Sequence, residues 1–338
     1  MHNGPNTKKT ILTTTFKTDD NALARSVRQR VDAGDVSGAT RLVIDKGRVI
    51  SPDKNSAEQL RAKHPQSQVK LEQPAYMSLP IVLSIKQLMD SALSMSAASA
   101  PGPDGLRPSH LHQFLGEGAG DERATVECGL QAFGEVCTAG RVPNAIIPFF
   151  FGATLCALRK NDGSLRPIAI GNVLRRLISK AISASLRDRA ATLLSPNQLG
   201  VGIHGGAEAA VHSARHLLSQ CAEGQGLVKL DFRNAFNAIS RSAVMKSVHD
   251  HLPEIEQHVY TSYGTRSYLF FGEYRLYSES GVQQADPLGP LLFSLALRPV
   301  SSSPVCGYAA WYLDDATLGG NTREVIDELL RVKNACLE

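Results

Sequence analysis

Tyr308-Ala309-Ala310-Trp311-Tyr312-Leu313-Asp314-Asp315-Ala316-Thr317-Leu318 reads as two short apolar strands joined by a turn, with two adjacent carboxylates at the bend. Aspartate is a poor strand former, and a carboxylate buried without a partner is costly. Two neighbouring carboxylates also repel, and a cation between them relieves the repulsion. A third carboxylate has a similar setting: Leu227-Val228-Lys229-Leu230-Asp231 is an apolar strand that ends in Asp231. If that strand lies beside the 308–318 hairpin, the three carboxylates converge on a hard oxygen site suited to Mg²⁺. Two ions about 4 Å apart in such a site clamp the attacking and leaving oxygens of a phosphoryl transfer. The competing reading is plainer: Asp231 caps the segment after it, and Asp314-Asp315 is an exposed polar turn.

Around this centre the pattern supplies further elements. Residues 323–336 have helical spacing, and Asp286-Pro287 has the form of a helix start, with Asp as N-cap and Pro in the first position. The helix after it carries Leu291, Leu292, Leu295 and Leu297. Residues 267–271 and 274–277 flank Gly272-Glu273 as a hairpin, and 242–251 are helical. Residues 153–158 and 165–170 flank Asn161-Asp162-Gly163 as a second hairpin. Between the hairpins, 173–194 is expected as one long Arg-rich helix, 207–221 as another, and 227–231 as a short buried strand. A short helix is expected at 84–94, and the run of small residues, Pro and Gly over 91–105 breaks regular structure. Residues 51–74, polar and Pro-interrupted, are expected as a surface connection, and 21–44 as a helix-turn-helix pair. The whole points to an α+β fold, a sheet with helices on one face.

Three of these stretches resemble the palm of reverse transcriptases. Leu230-Asp231-Phe232-Arg233-Asn234-Ala235-Phe236 resembles the first palm motif, and Ser280-Gly281-Val282-Gln283-Gln284-Ala285-Asp286-Pro287-Leu288-Gly289-Pro290 the second. Tyr312-Leu313-Asp314-Asp315 resembles the Tyr-x-Asp-Asp box. Pro101-Gly102-Pro103-Asp104-Gly105-Leu106 and Leu165-Arg166-Pro167-Ile168 are similar to fingers motifs of retrotransposon enzymes, the LINE-type (non-LTR) group above all. The five motifs stand in the family's order, and the resemblance covers about residues 80–335.

The resemblance implies a right-hand polymerase-like fingers and palm, with an antiparallel palm sheet backed by helices. It divides the chain into an N-terminal helical or linker region (1–75), a fingers-like part (76–222) and a palm with the acidic site (223–338). It implies RNA-directed DNA synthesis: an RNA template, a DNA primer and dNTP as partners, and two Mg²⁺ ions, or Mn²⁺, as cofactor. Asp231 and Asp314 would hold the ions, with Asp315 completing the cluster. Phe236 resembles the aromatic gate that excludes a ribose 2′-hydroxyl; its plain alternative is a core aromatic. Arg166 and Lys160 flank the 161–163 turn and would reach a triphosphate, or else are solvated turn charges. Gln284 would lie near the template base and nucleotide. Arg175, Arg176, Lys180, Arg187 and Arg189 would track the template backbone or form a solvated helix face. The alternatives to a reverse transcriptase are a catalytically inactive nucleic-acid-binding remnant of a retroelement and an RNA-dependent RNA polymerase; Phe236 and the Tyr-x-Asp-Asp box argue against the latter. Two departures stand out. Ala285 occupies a position usually held by Gly, and is expected to impair nucleotide fit because Gly alone permits positive φ freely. Residues 316–338 have room for one helix but not for a primer grip and thumb, so the thumb is expected to be absent or supplied by another segment.

Composition sets the outer bounds. The 338 residues are 43% hydrophobic and 20% charged, as in globular chains rather than disordered ones. A net charge of +4 permits a polyanionic partner without requiring one. No apolar run reaches the ~20 residues of a membrane span, and the polar start Met1-His2-Asn3-Gly4-Pro5 has no signal-peptide stretch. An intracellular protein is expected, in nucleus or cytoplasm. The 6 cysteines contain no C-x-x-C pair and are expected as buried reduced thiols, and His212 and His216 lack a third metal ligand nearby.

Overall fold

The computed structural model describes residues 49–336 apart from 68, 76–77, 117–119 and 121, together with four single positions before residue 32. The helix pair expected at 21–44 lies largely outside the described residues. The first elements are β1 (Val49–Ile50), α1 (Lys54–Ala62), α2 (Ile85–Leu93), α3 (Pro108–Leu115), α4 (Glu122–Thr138), α5 (Ile147–Phe150), β2 (Ala153–Arg159), β3 (Leu165–Gly171), α6 (Val173–Ser185) and α7 (Arg187–Leu194). There follow α8 (Gly206–Ser219), β4 (Gln225–Asp231), α9 (Ala235–Ala238), α10 (Arg241–His251), α11 (Glu256–Tyr263), β5 (Ser267–Phe271), β6 (Tyr274–Ser278), α12 (Gly289–Ser301), β7 (Tyr308–Tyr312), β8 (Asp315–Asn321) and α13 (Thr322–Ala335).

The strands form two sheets rather than the single one expected. In the first, β2 pairs along its whole length with β3, antiparallel, from Ala153↔Gly171 to Arg159↔Leu165. On its other side β2 pairs antiparallel with β1 at Ala157 and Leu158, and parallel with β5 at Ala153 and Thr154. The β5–β6 hairpin completes this sheet, which therefore takes strands from both sides of the 222/223 boundary. The second sheet has the order β4-β8-β7, antiparallel throughout. β4 is an edge strand, so the residues expected as a buried strand are at most half-buried, and Lys229 and Asp231 are exposed.

The largest apolar cluster joins Ile178 and Ile182 of α6, Val244 and Val248 of α10, and Leu291, Leu292 and Leu295 of α12 to Trp311 and Ala316 of the second sheet. Each such aliphatic side chain contributes about 1.5–3 kcal/mol when fully buried. α1 is the clearest correction to the pattern reading of 51–74. Asp53 accepts from the Ser56 N–H at 2.8 Å as an N-cap, and Ser56, Ala57 and Leu60 form a buried stripe on an otherwise polar helix. Ala57 and Leu60 pack with Leu155, Ala169, Leu269 and Leu276 of the first sheet. The expected 173–194 helix breaks at Leu186 into α6 and α7. α12 starts at Gly289, two residues later than Asp286-Pro287 suggested, with Pro290 in its first turn. α3 and α4 occupy a stretch with no assigned element. Gly134 weakens the helical pattern of α4, and it sits where a Cβ would crowd Leu88 of α2. Cys137 and Cys306 are buried as expected, whereas Cys128 and Cys336 are exposed. Among the described residues no helix is long and apolar enough to cross a membrane.

Candidate active site

The register of the second sheet assembles the carboxylates. Asp231, the last residue of β4, stands opposite Asp315, the first of β8, and Asp315 in turn pairs with Tyr312 of β7. The turn is therefore Leu313-Asp314, with Asp315 already in the strand, a one-residue shift from the Asp314-Asp315 bend read from sequence. Directly opposed residues of an antiparallel pair place their Cβ atoms about 4.5–5.5 Å apart on one face, where like charges destabilise. Lys229, diagonal to Asp315, brings Nζ to 3.3 Å from Oδ1 and offsets part of this repulsion. Asp314 is half-buried at the bend. Burial, and then the charges of Asp315 and Asp231, hold its carboxyl above the ordinary carboxylate value, while Arg166 pulls the other way. Asp315 and Asp231 thus both act on Asp314, and Arg166 of β3 acts on it in the opposite sense.

The other expected site residues divide. Lys160 stays at the exposed tip of the β2–β3 hairpin, where its charge acts on Asp162 of the same turn. Phe236, on α9, is 6% exposed and stacks on Phe293 of α12, centroids 4.6 Å apart and planes 15° apart. It is a core aromatic whose backbone also serves the second palm stretch, because the Phe236 carbonyl accepts the Val282 N–H at 2.8 Å. Gln284 is exposed two residues beyond Val282. Asn234, at φ +58, anchors the segment after Asp231 by donating Nδ2 to the Lys63 carbonyl at 2.8 Å, so α1 supports this loop as well.

The Arg-rich helix is not a template track. Arg175 is 1% exposed: it pairs with Asp286 Oδ2 at 2.7 Å and donates to the Phe151 carbonyl, Gln283 Oε1 and the Tyr263 hydroxyl. Arg176 is buried against Ser99 Oγ and the Ala100 carbonyl, Lys180 donates to the Ser94 carbonyl, and Arg189 pairs with Glu254. Only Arg187 of this group is exposed with no such partner among the described residues. Asp286 is thus the anchor of the Gln284 loop rather than a helix cap. Arg241 grips the other end of that loop through the Gly281 carbonyl at 2.9 Å, and the Tyr263 ring lies between the two guanidinium groups at 5.5 and 5.4 Å.

Ala285 is not among the residues at positive φ, which apart from glycines are Asn234 and Leu313 among the described residues. The backbone here does not call for Gly, contrary to the sequence expectation. Ala285→Gly is accordingly expected to leave nucleotide incorporation within about two-fold of wild type, since the substitution adds chain entropy without relieving strain. A several-fold gain in a steady-state incorporation assay would show that the methyl group itself obstructs.

Pattern reasoning missed Gln198, a 1% exposed side chain whose amide bonds both the N–H and the C=O of Leu313. Its only sequence signal is an amide beside Gly200 in the loop after α7. The left-handed backbone of Leu313 (φ +57) costs roughly 1–2 kcal/mol for a residue with a Cβ.

Among the described residues no three His, Cys, Asp or Glu side chains are arranged to enclose a metal ion, the exposed His212 and His216 included. Mg²⁺ at nucleotide-handling sites is held by one or two carboxylates together with substrate phosphates rather than by an all-protein cage. An edge carboxylate, Asp231, beside a turn carboxylate, Asp314, is a donor set that fits this mode.

Comparison with known proteins agrees with the motifs. The family model for reverse transcriptase (RNA-dependent DNA polymerase) matches residues 158–338, which include β3, the acidic turn and the Gln284 loop. The retrotransposable element SLACS 132 kDa protein of Trypanosoma brucei gambiense is 33% identical over 195 residues, 54% of this chain and 15% of that protein. The chain thus spans a small part of the relative's length. With more than half of its residues inside the family match and the motifs in family order, the chain belongs to the reverse transcriptase family.

Proposed function

We propose that this chain carries out RNA-directed DNA synthesis, joining a dNTP to the 3′-hydroxyl of a DNA primer on an RNA template. The observation that carries the reading is the register that sets Asp231 against Asp315 with Asp314 beside them, each raising the proton affinity of Asp314. In this reading residues 76–222 act as fingers, 223–338 as palm, and 1–75 as an N-terminal extension whose α1 buttresses both.

Asp231 and Asp314 would hold two divalent cations, Mg²⁺ or Mn²⁺, with Asp315 shaping the field around them. When bound, such ions neutralise phosphate charge and stabilise the attacking and leaving oxygens. The primer hydroxyl attacks the α-phosphate in line and pyrophosphate leaves, so the protein mainly orients the reactants. Arg166, close enough to act on Asp314, is suited to the triphosphate, and Lys160 at the hairpin tip joins it when the tip closes over the nucleotide. Gln284, exposed on a loop gripped at both ends, meets the nascent base pair. Phe236, packed at the core surface against Phe293, would act as the gate against a ribose 2′-hydroxyl.

Primer extension on an RNA template with Mg²⁺ tests the reading, with deoxynucleotides and ribonucleotides offered in parallel. Extension with deoxynucleotides in clear preference is expected. Equal use of both sugars would remove the role given to Phe236. RNA binding that weakens with salt, with no extension under any condition, would replace the enzyme by a nucleic-acid-binding remnant.

A further inference from the structure

Leu313 is the first of two residues in a hairpin turn, with positive φ there and not at Asp314. That is the type II′ pattern, which ordinarily takes Gly at this position. A side chain held in so unfavourable a backbone region needs surroundings that over-determine it. Gln198 supplies them. Its Oε1 accepts the Leu313 N–H at 2.8 Å and the Gly200 N–H at 3.0 Å, and its Nε2 donates to the Leu313 carbonyl at 3.3 Å. The side-chain amide thus pairs with Leu313 as a neighbouring strand residue would.

The loop bearing Gln198 is itself fixed to the strand before the turn. Leu199 N–H donates to the Trp311 carbonyl and Trp311 N–H to the Asn197 carbonyl, both at 2.7 Å. Asn197 Nδ2 donates to the Ser301 carbonyl at 2.8 Å. Gly200 approaches so closely that a Cβ there would stand 2.8 Å from the Leu313 nitrogen. The geometry is that of a rigid jig built from 197–200 around one strained residue, and the next residue in the chain is Asp314.

We propose that Gln198 is a positioning residue: by locking Leu313 in the left-handed region it fixes the direction in which Asp314 offers its carboxylate toward Asp231. The proposal rests on the reading of the acidic turn as a cation site, and its test separates the two. Leu313→Gly is the diagnostic partner, because Gly adopts positive φ without a Cβ penalty. A Gln198 that merely fills the core would gain nothing from it.

Mn²⁺ affinity is measured by electron paramagnetic resonance of the free ion, on the full chain, for wild type, Gln198→Ala, Leu313→Gly and the double variant. Gln198→Ala is expected to weaken Mn²⁺ binding roughly 10-fold, as lost outer-sphere support typically does. Primer–template affinity should stay near that of wild type, and the double variant should recover most of the Mn²⁺ affinity. Unchanged binding in Gln198→Ala, or a double variant no better than the single, overturns the proposal. If wild type itself binds no Mn²⁺, the cation reading fails, and thermal midpoints of the same four proteins decide the matter. Leu313→Gly must then lower the midpoint less in the Gln198→Ala background than in wild type; additive shifts overturn the role of Gln198.

Discussion

Asp314→Asn is expected to abolish primer extension and, at neutral pH, to raise the thermal midpoint. Asn keeps the shape of the side chain but not its charge, so the pair proposed to hold the cations falls from two carboxylates to one. Losing about 4 kcal/mol of transition-state stabilisation corresponds to roughly a 10³-fold slower reaction. The stability change has the opposite sign because Asp314 is a strained acid. Burial and the neighbouring charges of Asp315 and Asp231 raise its folded pKa above the ordinary 3.8. A group raised in this way contributes stability that is present below its unfolded pKa and is lost as pH rises through the folded value. At pH 7 the carboxylate is ionised against its surroundings, and Asn removes that unfavourable charge. Midpoints measured with a metal chelator present should therefore diverge as pH rises from about 4 toward neutrality, the variant above wild type, and converge in acid. A variant that keeps a tenth of wild-type extension, or one whose midpoint falls at pH 7, would count against the assignment of Asp314. The combination matters because a residue retained for folding loses stability when neutralised, whereas one retained for chemistry releases strain.

How much of this site was legible from the chain depends on the range of the forces involved. The hairpins at 153–171 and 267–278 follow from local turn chemistry, with Gly163 and Gly272 at φ +82 and +59 where the turns require them. Asp231 and Asp314 stood out because each ends or interrupts an apolar run, and antiparallel pairing then sets Asp231 opposite Asp315, the neighbour of Asp314. The fates of Arg175 and Arg176 were not legible. Helical spacing shows which residues share a face, but not that an Asp 111 residues away will neutralise one of them. The same limit hid the second sheet division, since nothing local tells β2 to pair with β5 in parallel at two residues only. Gln198 was hidden for another reason: its work is done on a backbone conformation, and an amide in a loop has no periodicity to betray it. Phe236 was legible as an important aromatic, yet its stacking on Phe293 and its support of Val282 emerge only in three dimensions.

Arg175→Met is expected to cost about 3–5 kcal/mol of stability, the range for removing one partner of a buried ion pair. The side chains of Arg175 and Asp286 are 1% and 3% exposed, so no water replaces the lost guanidinium. The variant strands the Asp286 carboxylate with neutral donors alone, among them the Tyr263 hydroxyl and the Leu288 N–H, takes the Arg175 donor from Gln283 Oε1, and leaves the Phe151 carbonyl with Gln283 Nε2 in place of two side-chain donors. Burial alone would push the Asp286 carboxyl up, but Arg175, then Tyr263, outweigh it and hold it below the ordinary 3.8. A depressed acid contributes stability that is present above its unfolded pKa and is lost as pH falls through the folded value. Removing Arg175 reverses that sign, because the stranded carboxyl then gains by protonation, so the gap between wild type and Arg175→Met should shrink below about pH 4. Adding Asp286→Asn to Arg175→Met removes the stranded charge, keeps Oδ1 as acceptor for the Leu288 N–H and lets Nδ2 donate to the Tyr263 hydroxyl, and should recover about half of the loss at pH 7. Urea unfolding of the three proteins between pH 3 and 7 measures all of this. A loss below 1 kcal/mol in the single variant would mean that the pair is dispensable and that the Gln284 loop is held by Arg241 and Tyr263 alone. The expected outcome instead ties the fold to the proposed chemistry: the same guanidinium joins α6 to the 280–286 loop through Gln283 and Asp286 on either side of Gln284, so on the reading that Gln284 meets the nucleotide, the double variant, though folded, should bind dNTP more weakly than wild type.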